Sequence, residues 1–351
     1  MLALLLVGCL PSCHGTALRG VLEPAKQHTY HDEIPRIVHL ITLKPAEESE
    51  MEFSFQSFLC MYSAYQFIQP SVIFIHTDYS QSEVHRAIRY GSSWTRKILT
   101  TFSDTVKINH ITPPTSTANG LPFDFIEHKL DFIRMEQMAI YGGIYLDWDV
   151  LTLRSPLPLL RAGFAAIVGR QVDGNINNGC FMAKKTSALV QLMIQDMPTV
   201  FTGERQTHST GLITSIAERI AYVPGEVLIM DYKAFAPTDW SDERSTYDLF
   251  SERRPGEKLV TLGEQANVAT LDALDRWNKR AKGASWEMDF SQTYFLHAFS
   301  PAGKSLPRFE GITVPYILRR RSNYALAAWP LVMQGTKEGL IDERDGILPS
   351  F

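Results

Sequence analysis

Apolar and polar positions fall along the chain in short, regularly interrupted blocks. Five runs rich in β-branched residues, Ile37 to Ile41, Val72 to Ile75, Val106 to Ile108, Ile144 to Leu146 and Phe164 to Val168, have the length and make-up of buried strands. Between several of them apolar residues recur at helical spacing, over Phe53 to Phe67 and Phe125 to Ile140. Strand and helix in alternation predict an α/β fold with a central, mostly parallel sheet flanked by helices. No period of repeat length stands out, and no later apolar stretch is long and charge-free enough to span a membrane. The polar stretch Asp239 to Glu257, with Pro255 and Gly256 in it, reads as an insertion or mobile loop. Beyond about Pro301 the pattern loosens, and Pro330 to Phe351 reads as a surface tail with one short helix. The expected organisation is one catalytic-size domain over residues 30–300 with a C-terminal extension, 301–351.

Composition narrows the class. Hydrophobic residues make up 45% and charged residues 21% of 351, which excludes a disordered, collagenous or coiled-coil chain. A net charge of -4 provides no global basic field, so nucleic acid is not an expected partner. Four cysteines are too few for a disulfide scaffold; Cys9 and Cys13 lie at the extreme N-terminus, and for Cys60 and Cys180 a disulfide and two buried thiols are both open. The apolar run Leu2 to Leu10, followed by small residues through Ala17, reads as a secretory signal over residues 1–17, with the remnant of a shortened anchor as the alternative. It is far shorter than the ~20 residues a bilayer requires, so no stable transmembrane span is expected. The expected location is the secretory pathway, in the Golgi lumen or secreted, although no Asn-x-Ser/Thr acceptor occurs.

The chemistry concentrates between Glu127 and Val150. Asp131 and Arg134 are three residues apart in the predicted helix and can pair on one face, away from the stripe of Ile126, Leu130, Ile133 and Ile140. Gly142 and Gly143 then stop the helix, and a short apolar strand leads straight into Asp147-Trp148-Asp149. Strand alternation sends both carboxylates to one side and Trp148 to the other. Paired carboxylates attract a hard divalent cation, Mn²⁺ or Mg²⁺, which characteristically bridges to substrate phosphates, so a nucleotide diphosphate is the expected ligand. In open α/β sheets such ligands sit beyond the carboxyl ends of the strands, where this pair falls. With 18 Asp in the chain about one Asp-x-Asp arises by chance. The specificity therefore lies in the composite of Asp-x-x-Arg, paired glycines, apolar strand and acidic pair.

That composite resembles the sugar-nucleotide-binding signature of glycosyltransferases of the family 32 type, the group with initiating mannosyltransferases, α-1,4-glycosyltransferases and the large clostridial toxins. The resemblance extends to Ile34 through His39 as a first strand, to Asn177 through Ala183 after the acidic pair, and to Thr210-Gly211 and Phe235 through Pro237. It implies a GT-A fold, a nucleotide-diphosphate-sugar transferase architecture, over residues 30–300. The implied reaction moves a hexosyl group from a UDP- or GDP-sugar to a glycan, glycoprotein or glycolipid, with retention at the anomeric carbon. By the same resemblance Asp131 and Arg134 contact the donor sugar, Asp147 lies near ribose and sugar, and Asp149 binds the metal, usually Mn²⁺. Asn178, Gly179 and His39 join the donor site, and His297 completes the metal site, although Ser300-Pro301 stands where the family has Ser-Trp. No residue identifies itself as a covalent nucleophile, which leaves double displacement and front-face attack open. Two rival readings accompany this one: a haloacid-dehalogenase-type phosphatase, in which Asp147 would be the nucleophile, and a non-catalytic secreted sugar-binding protein on the same scaffold.

Overall fold

The computed structural model describes residues 33–254, 272–279, 284–299, 301, 306–342 and 344–345. The N-terminal apolar run and the last residues of the tail lie outside them. The five predicted strands all form, within a sheet of seven. In chain order the strands are β1 (Ile37–Thr42), β2 (Val72–Thr77), β3 (Val106–His110), β4 (Gly143–Leu146), β5 (Val150–Thr152), β6 (Ala166–Arg170), β7 (Ile176–Ala183), β8 (Val227–Met230) and β9 (Phe295–His297). The large sheet runs β3-β2-β1-β4-β7-β6-β8, and β5 pairs with β9 in a separate two-stranded ribbon. β1 is parallel to β2 and β4, β2 to β3, and β6 to β8; β7 runs antiparallel to both its neighbours. The mixed α/β architecture expected from the pattern is thus present.

Chain order along the sheet explains where a ligand can enter. From β1 the chain moves outward through β2 and β3, then returns to place β4 on the other side of β1. The connections diverge between β1 and β4, and such a switch point leaves a crevice at the carboxyl ends of the strands. Each face of the sheet has its own core: Val38, Leu40, Ile144 and Leu146 pack on one side, and Tyr145, Phe181, Met138 and Ile133 on the other. Each fully buried aliphatic side chain contributes about 1.5–3 kcal/mol relative to exposure, so the alternation fixes the register of β4.

The helix Ile126–Tyr141 stops at Gly142, whose φ of 64° puts it in the left-handed region. Gly143 has φ 125°, and a Cβ there would lie 2.3 Å from the Ile37 carbonyl oxygen. The two glycines therefore permit both the stop and the close approach of β4 to β1. The buried face of this helix departs from expectation. Ile140 is 51% exposed, whereas His128, Asp131, Arg134 and Gln137 are buried with Ile133 and Met138. The polar side of the helix is turned inward where Asp131 and Arg134 find partners at the ends of β4 and β7 and Gln137 finds Asn109 on β3.

Two other expectations are corrected. Within Asp239 to Glu257 lies a helix, Glu243–Phe250, capped by Asp242 and anchored by the fully buried Leu249 and Phe250. Residues 255–257 lie outside the described residues. The segment read as a surface tail begins inside the helix Asn323–Lys337, where Pro330, Leu331 and Val332 are buried. Its run of alanines allows close packing, and Ser322 caps its start. Cys60 and Cys180 are buried free thiols, which settles the pairing left open by the sequence. No described helix is long and apolar enough to cross a membrane.

Candidate active site

β4 ends at Leu146, and Asp147-Trp148-Asp149 form a tight turn closed by the Val150 amide donating to the Asp147 carbonyl at 3.1 Å. The acidic pair thus reaches one side through a turn at the strand's carboxyl end, not through strand alternation. Trp148 turns back toward β1, its indole N–H donating to the Ile41 carbonyl (2.9 Å) and to Thr42 Oγ1 (2.8 Å). Its ring also packs 4.7 Å from that of Phe53. These contacts hold the turn against the end of β1.

His297 arrives from far along the chain because β9 pairs with β5, with His297 opposite Val150. Its Nε2 lies 3.2 Å from Asp149 Oδ1 and 3.9 Å from Asp147 Oδ2. One donor atom from each of the three residues lies within 4.8 Å of the others. Two carboxylates and an imidazole are a donor set that could hold a divalent metal ion. Gly179 makes that space: a Cβ there would stand 2.3 Å from Asp147 Oδ2 and 2.3 Å from His297 Cε1. The same residue's carbonyl accepts the Asp147 N–H at 2.8 Å.

Arg134 organises the other side of Asp147. Its guanidinium lies 3.2 Å from Asp131 Oδ1 and 3.2 Å from Asp147 Oδ1, and donates to the Asn178 carbonyl at 2.8 Å. Burial opposes its charge, but Tyr145, Asp147 and Asp131 around it raise its pKa, so it stays cationic. Burial pushes the Asp147 carboxyl above its usual range, against the pull of Arg134 and His297; Asp149 adds to the rise. The Tyr145 hydroxyl donates to Asp147 Oδ1 at 2.6 Å and opposes the rise. Asp147 is therefore poised to gain from any further positive charge placed beside it.

Asp131 is held by Arg134 and by the Asn178 side-chain amide (3.0 Å), and His208 Nε2 stands 3.2 Å from Oδ2 without a hydrogen bond. Asn178 also donates to Ser209. Asp131, Arg134, Asp147, Asp149 and Asn178 line a cleft of about 520 Å³ that runs from Ile41 on β1 and Gln56 and Ser57 in the helix Phe55–Ile68 to His128, Arg205 and Ser209. Its size accommodates a nucleotide sugar.

The structure thus brings together Asp131, Arg134, Asp147, Asp149, Asn178, Gly179 and His297. His39 is not among them. Its ring is fully buried between β2 and the helix stop, with Nδ1 2.9 Å from His76 Nε2 and Nε2 2.8 Å from the Gly142 carbonyl. It supports the strand that carries the site and has no surface facing the cleft. Sequence reasoning passed over Tyr145 and His208. Tyr145 reads as one more apolar strand residue, and its position two before Asp147 is the only signal that its hydroxyl serves the acidic pair. His208 has no local signal, since it reaches Asp131 through tertiary packing.

Residues 67–164, which contain Asp131, Arg134, Asp147 and Asp149, match the family described as the glycosyltransferase sugar-binding region containing a DXD motif. No curated protein matches the chain. Among solved structures, a PaToxG glycosyltransferase is similar at 15% identity and a TM-score of 0.39, over 55% of this chain and 71% of that one. The glycosyltransferase GlyE of Streptococcus pneumoniae TIGR4 is similar at 11% identity and a TM-score of 0.35, over 57% of this chain and 46% of that one. A glycosyltransferase involved in glycosylation of the major capsid of PBCV-1 is similar at 12% identity and a TM-score of 0.30, over 57% and 84%. Over residues 67–164 the chain is similar to the sugar-binding region of DXD glycosyltransferases, and that match supports a transferase with glycosyltransferase-like activity.

Proposed function

We propose that the chain is a GT-A-type, divalent-metal-dependent hexosyltransferase of the family 32 kind. It takes a UDP- or GDP-sugar as donor and a glycan, glycoprotein or glycolipid as acceptor, with retention of anomeric configuration. The observation that carries this reading is the Asp147, Asp149 and His297 cluster at the carboxyl edge of the sheet, whose two carboxylates face the cleft that Arg134 and Asp131 also line. When bound, Mn²⁺ supplies a Lewis acid where the departing nucleoside diphosphate gathers charge. Asp149 and His297 would hold it together with Asp147.

The protein's own groups divide the remaining work. Asp131, fixed by Arg134 and Asn178, offers an oriented carboxylate to donor hydroxyls. Arg134 holds Asp131 and Asp147 in place and sets a positive charge between them. Trp148, locked to β1, forms part of the cleft wall toward Ile41, where the nucleoside would lie. We also place the protein in the secretory pathway, on the strength of the apolar run Leu2 to Leu10.

The test is thermal stabilisation across a panel of UDP- and GDP-sugars with and without Mn²⁺, followed by donor hydrolysis. A metal-dependent shift with one nucleotide, accompanied by release of its sugar, is the expected result. No shift with any donor, or formation of an aspartyl-phosphate at Asp147, would overturn the reading. Fractionation that recovers the intact N-terminus in cytosol would defeat the assigned location.

A further inference from the structure

We propose that Asn177 is a positioning residue that fixes the tautomer of His297, so that Nε2 presents a lone pair to a cation shared with Asp147 and Asp149. The inference rests on the reading of that cluster as a cation site.

Asn177 is fully buried on β7, and both atoms of its side-chain amide approach His297 Nδ1, Nδ2 at 3.0 Å and Oδ1 at 3.1 Å. A second contact decides which atom engages. Asn177 Oδ1 accepts the Gly179 backbone N–H at 2.8 Å, which identifies the oxygen, and a carbonyl oxygen has a second lone pair for the Nδ1–H. A neutral imidazole carries one proton. With that proton on Nδ1, the nitrogen left to face Asp149 at 3.2 Å is a bare acceptor, the form that binds a metal.

The opposite assignment would place Nε2–H against the Asp149 carboxylate, making a hydrogen bond there and leaving no ligand. Asn177 also ties His297 to the acidic turn. Gly179 donates to Asn177, and the Gly179 carbonyl accepts the Asp147 N–H at 2.8 Å. One amide thereby sets the ring orientation relative to the carboxylate beside it. Groups that orient a ligating histidine in this way typically change metal affinity about 10–100-fold when removed.

The experiment uses the full chain and Mn²⁺ alone, titrated by electron paramagnetic resonance, with ¹⁵N-histidine NMR of the wild-type protein loaded with diamagnetic Zn²⁺. Asn177→Leu should weaken Mn²⁺ binding about tenfold or more. Asn177→Asp, which still accepts from Nδ1–H, should keep wild-type affinity or exceed it. The NMR spectrum should show His297 protonated at Nδ1 and metal-bound at Nε2. A proton retained on Nε2 in the loaded protein would overturn the inference, and so would equal weakening in the Leu and Asp variants. The wild-type spectrum keeps the test decisive if Asn177→Leu does not fold. Equal Mn²⁺ binding by wild type and a folded Asn177→Leu sinks this inference and leaves the transferase reading intact. Asn177-dependent Mn²⁺ binding with no response to any nucleotide sugar does the reverse, and absence of Mn²⁺ binding sinks both.

Discussion

Arg134 Nη2 stands 3.2 Å from Asp147 Oδ1, joining a helix to the turn that ends β4. The same guanidinium reaches Asp131 Oδ1 at 3.2 Å and lies 4.3 Å above the Tyr145 ring. An Asp-x-x-Arg pair on an exposed helix would contribute little. Here the Arg134 side chain is 5% exposed and serves two carboxylates from different elements. It is therefore the group that lets two acids coexist in one cleft.

Arg134→Ala should consequently destabilise the protein by about 3–5 kcal/mol, because it leaves two partly buried carboxylates uncompensated. Arg134→Lys should recover little of the loss. A lysine point charge cannot reach Asp131, Asp147 and the Asn178 carbonyl together. Urea unfolding and donor hydrolysis measured on both variants check this. A loss below about 1 kcal/mol with full turnover would mark an ordinary surface pair.

Asp149→Asn keeps the side chain's size and removes its charge. Mn²⁺ affinity should fall at least tenfold and transfer should nearly vanish, while the unfolding midpoint stays close to wild type. Metal titration and circular dichroism on the same preparation separate the two effects. Wild-type turnover in Asp149→Asn would refute the assigned chemistry.

Much of this geometry was legible in the chain because it is local. Asp131 and Arg134 are one helical turn apart, Gly142 and Gly143 mark the stop, and the acidic pair follows four residues of strand. What was not legible depends on pairings remote in sequence. His208 reaches Asp131 through the fold, and the pairing that delivers His297 joins β9 to β5, far apart in the chain. His39 shows the opposite failure. It lies within a motif that resembles the family's first strand, yet strand position alone does not say which way a ring points, and this one points into the core. Of the predicted stripe Ile126, Leu130 and Ile133 do pack against the core, but Ile140 is exposed, because the buried face also takes in Asp131, Arg134 and Gln137, whose partners come from remote strands.

Gly179→Ala tests the cradle. The added methyl would sit 2.3 Å from both Asp147 Oδ2 and His297 Cε1, closer than nonbonded atoms approach, so one of the two must move. The expected result is a large loss of Mn²⁺ affinity, with about 1–3 kcal/mol of destabilisation from overpacking. Undiminished Mn²⁺ binding in a folded Gly179→Ala would show that the three donors do not act as one site.

The buried histidines of β1 and β2, His39 and His76, predict an acid response independent of the site's chemistry. His39 Nε2 faces the Gly142 carbonyl, which can only accept, so Nε2 carries the proton and Nδ1 accepts from His76 Nε2–H. His76 Nδ1 in turn faces the Asn109 side-chain amide at 2.8 Å. The chain is complete with both rings neutral, and a further proton on either sets N–H against N–H. Burial lowers His39 from 6.5 to about 4, with the Gly142 carbonyl opposing, and burial together with His39 lowers His76 to about 3. Between pH 6.5 and about 4 the unfolded chain therefore binds two protons that the folded chain refuses. Stability is full above pH 6.5 and falls as the pH drops, by about 1.4 kcal/mol per pH unit for each histidine. His76→Gln keeps a donor and an acceptor but cannot titrate, so between pH 6 and 5 its loss of stability should be shallower by about that amount. Urea unfolding at half-unit pH steps gives the two slopes. Equal slopes in wild type and variant would mean that the pair already accepts a proton in the folded protein.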